Sequence, residues 1–131
     1  MHLLYLLIHC VQFPELHFTL LDSNSKKTRF LTQVKTELQL SNITVVHSRA
    51  EQFKPQQPFE QIVSRAFSAI ELFIKLASPF LAGTGQLLAM KGQLPQEEMS
   101  VREVEAMQVD VIPLAVPMLA EARHLIILQP K

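Results

Sequence analysis

The sequence predicts an α/β protein built on an open, mostly parallel sheet that closes with an antiparallel carboxyl-terminal pair. Short apolar or β-branched runs alternate with stretches of helical periodicity along most of the chain. The last two apolar runs stand too close together for a crossover helix. The chain has 131 residues, 48% hydrophobic and 18% charged, which suits one domain with a core of its own and excludes disordered and fibrous classes.

The opening run MHLLYLLIHC has no Lys or Arg ahead of its apolar stretch and no small-residue cleavage site, so it does not read as a signal peptide. Leu3 to Val11, interrupted by His9, is far short of the ~20 residues that span a bilayer, and a buried core segment is the simpler reading. After Pro14, His17 to Leu21 reads as a buried strand. Asp22, Ser23, Asn24 and Ser25 are cap candidates for a helix carried by Phe30, Leu31, Val34 and Leu38. Asn42 turns the chain into a β-branched strand, Ile43 to Val46, which completes a right-handed βαβ unit.

A polar, proline-bearing loop from Gln52 to Pro58 leads to a third strand, Gln61 to Ser64. Ile70, Leu72, Phe73 and Leu76 then mark a helix that stops near Pro79. Gln86 to Met90 is the fourth strand, and Pro95, Glu97 and Glu98 suit the first turn of a further helix. Val109 to Val116 and His124 to Leu128 form the antiparallel pair, with Pro113 and Pro117 placing the first of them toward a sheet edge. The expected arrangement is one sheet.

Twelve Lys and Arg balance twelve Asp and Glu, so nucleic-acid binding by bulk charge is excluded and any RNA contact must be local. Cys10 is the only cysteine, which excludes a disulfide framework and suits a reducing cytoplasm. The histidines and Cys10 show no zinc spacing, and no metal site is expected. Covalent catalysis has no motif either, for GxSxG is missing. Only three glycines occur, Gly83, Gly85 and Gly92, where average usage gives about nine. Gly83-Thr84-Gly85 lies between a helix and the following strand, the reverse of the order a cofactor loop needs, and is expected to be a helix C-terminal turn.

In open α/β sheets ligands bind at the carboxyl ends of strands. Asp22, Glu51, Arg65 and Lys91 all follow predicted strands and would surround one crevice. Asp22 is placed to accept ribose hydroxyls of a nucleoside cofactor, although taken alone it fits a helix cap better. Arg65 has a salt bridge as its alternative, and Lys91 a solvated strand end.

The stretches PELHFTLLDSNSKKTRFL, HSRAEQF, VSRAF, LLAMKGQ and RHLIIL, in this order from Pro14 to Gln129, closely resemble the glucose-inhibited division protein B family, the small-subunit rRNA guanine-N7 methyltransferases. The resemblance implies a Rossmann-like class I methyltransferase sheet that uses S-adenosylmethionine to methylate one guanine of 16S rRNA, with the small ribosomal subunit as partner and no membrane. It places Ala50 and Glu51 in the adenine-binding turn and Arg65 along the pocket. Lys91 and Arg123, with Lys26, Lys27, Arg29 and Lys54, are available for phosphate contacts. Guanine N7 carries a free lone pair, so no catalytic acid or base is expected. Members of the family begin with a first strand and an acidic, glycine-rich loop that this sequence lacks. The expectation is therefore one amino-terminally truncated, partial methyltransferase domain: an atypical apolar segment over 1–13, family-like sequence over 14–129, and a separate amino-terminal fragment as a further partner. Family position makes Leu3 to Val11 a helix, although it could equally fill the vacant strand place. The alternative is an inactive α/β remnant that binds RNA or protein, or has no function.

Overall fold

The computed structural model describes residues 13–64, 69–91, 102–114 and 123–131. The chain divides between Phe53 and Lys54 into two compact units.

The first unit is a βαβ element. Strand β1 (Phe18–Asp22) and strand β2 (Ile43–His47) run parallel, in register from Phe18 opposite Ile43 to Asp22 opposite His47. Helix α1 (Ser25–Glu37) connects them. Of the four cap candidates Asn24 is the N-cap: its Oδ1 accepts the N–H of Lys26 (2.9 Å) and of Lys27 (3.4 Å). The helix ends in a Schellman turn, with Leu40 N–H donating to Lys35 O (3.0 Å) and Gln39 N–H to Thr36 O (3.2 Å). Gln39 holds the left-handed position at φ 54°, where glycine is usual. Leu20, Leu31 and Ile43 are buried between helix and strands, with Val34 and Leu40 packed against them. The two ends of the turn thus meet the same small core.

The second unit contains strand β3 (Phe59–Ser64), helix α2 (Ile70–Ala77), strand β4 (Leu81–Lys91), a single helical turn α3 (Arg102–Glu105), strand β5 (Met107–Leu114) and strand β6 (Arg123–Pro130). The strand order is β3-β4-β6-β5. β3 and β4 are parallel, whereas β6 is antiparallel to both its neighbours. Ile70, Phe73, Ile74 and Ala77 of α2 are buried with Leu87, Ala89, Val104, Met107, Ile126 and Leu128. Of the expected helical positions Ile70 and Phe73 face this core, whereas Leu72 is exposed and Ile74 and Ala77 complete the buried face; β5 takes the edge that Pro113 requires.

Among the described residues the strands pair as β1-β2 and as β3-β4-β6-β5. No described strand joins β1 to β3, the place the resemblance reserves for the family's first strand. One expectation is corrected. The Gly83-Thr84-Gly85 triplet is not a helix C-terminal turn but part of β4, which starts at Leu81 rather than Gln86. A 3-10 turn at Ser78–Phe80, carrying Pro79, already ends the helix. The triplet occupies a bulge, since Phe59 pairs with Leu81 but Gln61 pairs with Gln86. Gly85 lets β3 approach closely there, for a Cβ would stand 2.8 Å from Glu60 O and 2.6 Å from Leu81 Cδ1. The expected segment Leu3 to Val11 and the helix start at Pro95 lie outside the described residues.

Candidate functional site

Because β1 and β2 are parallel and in register, their carboxyl ends coincide. The chain leaves β1 at Asp22, and three residues beyond His47 it folds into a 3-10 turn, Ala50–Gln52. Gln52 N–H donates to Arg49 O (3.1 Å) and Phe53 N–H to Ala50 O (3.3 Å), which leaves Ala50 half-buried and Glu51 exposed. Asp22 and the Ala50–Glu51 turn, expected around one crevice, thus sit at the same end of the two-stranded sheet.

Asp22 is not the helix cap. Its Oδ1 accepts Asn24 N–H at 2.7 Å and so shapes the turn that presents Asn24 to the helix. Among the described residues Oδ2 of Asp22 and the carboxylate of Glu51 accept no hydrogen bond. The strand ends therefore offer two carboxylates with spare acceptor capacity, the acceptor set that vicinal hydroxyl groups would need.

The end of β1 is held from two sides. Ser48 N–H donates to Asp22 O (3.1 Å), and the ring nitrogen Nε2 of His47 lies 3.0 Å from Ser23 O. His47 entered the sequence reading only among the histidines whose spacing gives no metal site. Its place, directly after a predicted strand and beside Ser48, was the one available signal.

An open groove of about 550 Å³ lies nearby between α1 and β2, bordered by Thr28, Thr32, Thr36, Val45 and His47. The hydroxyls of Thr28, Thr32 and Thr36 donate to the carbonyls of Ser25, Thr28 and Thr32 and are spent within the helix, while Arg29, Gln33 and Glu37 bring charged and polar groups to the same groove.

In the second unit Lys91 ends β4 opposite His124, and Arg123 precedes His124 at the start of β6. Both proposed RNA contacts therefore reach the same end of the four-stranded sheet. Ser64 ends β3 opposite Ala89, at that same end. Arg65, the next residue, lies outside the described residues. Of the four residues expected around one crevice, Asp22 and Glu51 belong to the first unit and Lys91 to the second.

The family profile for rRNA small subunit methyltransferase G, GidB, matches residues 7–126. The chain belongs to this family. A GidB relative, the ribosomal RNA small subunit methyltransferase G of Pseudomonas paraeruginosa, is 50% identical over 119 residues, which cover 91% of this chain and 56% of the relative. The GidB chain described here thus spans little more than half the length of that protein. Solved structures share its fold. The precorrin-6y C5,15-methyltransferase of Geobacter metallireducens superposes with a TM-score of 0.68 at 16% identity, covering 88% of this chain and 68% of that one. The N-methyltransferase NodS of Bradyrhizobium japonicum, solved in complex with S-adenosyl-L-homocysteine, gives a TM-score of 0.62 at 14% identity, covering 87% of this chain and 66% of that one. The class I methyltransferase fold expected from the sequence is therefore the fold of this GidB chain. Among its described residues no helix is long and apolar enough to cross a membrane.

Proposed function

We propose that this chain is a partial methyltransferase domain that works in S-adenosylmethionine-dependent methylation of guanine N7 in 16S rRNA, on the small ribosomal subunit in the cytoplasm. The observation that carries this reading is the placement of Asp22 and the Ala50–Glu51 turn beyond the coincident carboxyl ends of β1 and β2, in a chain of the GidB family.

Bound there, S-adenosylmethionine would supply a methyl group on a positively charged sulfur. Asp22 and Glu51 accept the ribose hydroxyls, and the half-buried Ala50 packs against the adenine ring. The family resemblance assigns Arg65 to cofactor binding, and Lys91 and Arg123 are available for RNA phosphates. No residue of the chain need take a proton, because guanine N7 would attack the methyl group through its own lone pair and the cofactor sulfur would keep the electron pair of the broken carbon–sulfur bond. The residues therefore act by positioning, where an error of ~1 Å can cost about a hundredfold in rate.

The test is calorimetric titration of the folded chain with S-adenosylmethionine, followed by incubation of chain, labelled cofactor and small subunits that lack N7-methylguanine. Saturable uptake, competed by S-adenosylhomocysteine, is expected. A folded chain that takes up no cofactor and transfers no label overturns the reading.

A further inference from the structure

The geometry points to His47 as a positioning residue that sets the Asp22 carboxylate through the turn after β1. A carbonyl oxygen only accepts, so the 3.0 Å contact between His47 Nε2 and Ser23 O requires the hydrogen on Nε2. His47 is the last residue of β2 and the register partner of Asp22, which places its side chain beside the point where the chain leaves β1. From there a short series of bonds runs inward. Ser23 is fixed by His47, Asn24 N–H closes on Asp22 Oδ1 at 2.7 Å, and Asn24 Oδ1 receives the N–H of Lys26 and Lys27. The main-chain bond from Ser48 to Asp22 O fixes the strand end but not the residue after it. The His47 bond is the side-chain tie between β2 and that residue.

Without this tie the Ser23 peptide can rotate, and the carboxylate loses the orientation that keeps Oδ2 clear of the protein's own donors. His47 thus acts on the ligand through Asp22 and need not touch it. The inference rests on the proposed cofactor site for what Asp22 receives, but not for how Asp22 is held.

Three variants of the full chain test it: His47→Ala, His47→Met, which keeps reach without a donor, and His47→Gln, which keeps an N–H donor. Amide hydrogen exchange at Asn24 reports the Asp22 turn directly, and titration with S-adenosylmethionine reports its use. Asn24 exchange is expected to rise about tenfold in the Ala and Met variants and to return toward wild type with Gln. Cofactor affinity should fall severalfold and recover in the same pattern, with the melting temperature nearly constant. Unchanged Asn24 exchange in folded Ala or Met variants, or a Gln variant no better than Met, overturns the inference. If wild-type chain takes up no cofactor, the cofactor reading fails, and the exchange comparison still decides whether His47 holds Asp22.

Discussion

Asp22 and Asn24 are two residues apart and joined by a hydrogen bond, yet their replacement by alanine should have different consequences. Asn24→Ala removes the acceptor for Lys26 and Lys27 N–H, at 2.9 and 3.4 Å. Loss of such a cap costs about 1 kcal/mol of stability and touches no ligand group. Asp22→Ala removes the acceptor for one exposed backbone N–H, worth roughly 0.5–1.5 kcal/mol, because water can replace it. It also removes the carboxylate with a spare oxygen. One charge-assisted bond to a ribose hydroxyl is worth roughly 1.5–3 kcal/mol, which corresponds to about a ten- to hundredfold loss of S-adenosylmethionine affinity. Denaturant unfolding and calorimetric titration on both variants separate the two effects. If Asp22→Ala loses stability as Asn24→Ala does and binds cofactor like wild type, Asp22 is a structural turn residue and the site is wrongly placed.

Glu51→Ala should weaken S-adenosylmethionine binding about tenfold or more with little change in stability, since Glu51 is exposed and accepts no bond among the described residues; unchanged affinity by titration would remove it from the site. Gln39→Gly should stabilise the chain by about 0.5–1 kcal/mol, because a left-handed residue other than glycine costs roughly 1–2 kcal/mol and glycine's greater chain entropy offsets part of that; a destabilised variant in urea unfolding would contradict this. Lys75 is raised above its ordinary 10.5 by its hydrogen bond to Glu71 and by the charges of Glu71 and Glu103. Folding thus favours the ammonium, so this stabilisation is whole below pH 10.5 and is lost as pH rises through the higher folded value. Glu71→Gln should lessen the alkaline loss of stability, and an identical pH profile for the variant would show that the cluster contributes nothing.

The strand cores were legible because their residues leave few choices. Ile43 to Val46 is β-branched at all four positions, and Leu87, Ile126 and Leu128 alternate with less buried neighbours, which fixes which face turns inward. The candidate site was legible only as far as it depends on chain order: a parallel pair brings the residues after each strand to one end of the sheet, which is where Asp22 and the turn holding Glu51 were expected. The bulge in β4 was not, because it exists only through pairing with a strand some twenty residues earlier. Within its own segment, Gly83-Thr84-Gly85 looks like any helix-ending turn. The division of labour between Asp22 and Asn24 was also hidden, since Asp, Ser and Asn are nearly equal as caps and only hydrogen-bond geometry separates them. His47 was missed for a related reason: a histidine that holds a main-chain carbonyl carries no spacing motif.

The strand order β3-β4-β6-β5 has a consequence for biosynthesis. β6 lies between two strands that precede it in sequence, so β4 and β5 leave the ribosome before anything can join them. Ile126 and Leu128, both fully buried, come from this late strand, and so does the whole antiparallel ladder on either side of it. Until β6 emerges, the nascent chain carries the apolar face of α2 against an incomplete sheet, with one edge of β4 unpaired. A premature stop only a dozen codons before Pro130 would leave no partly working protein, because it takes out an interior strand rather than trimming an edge.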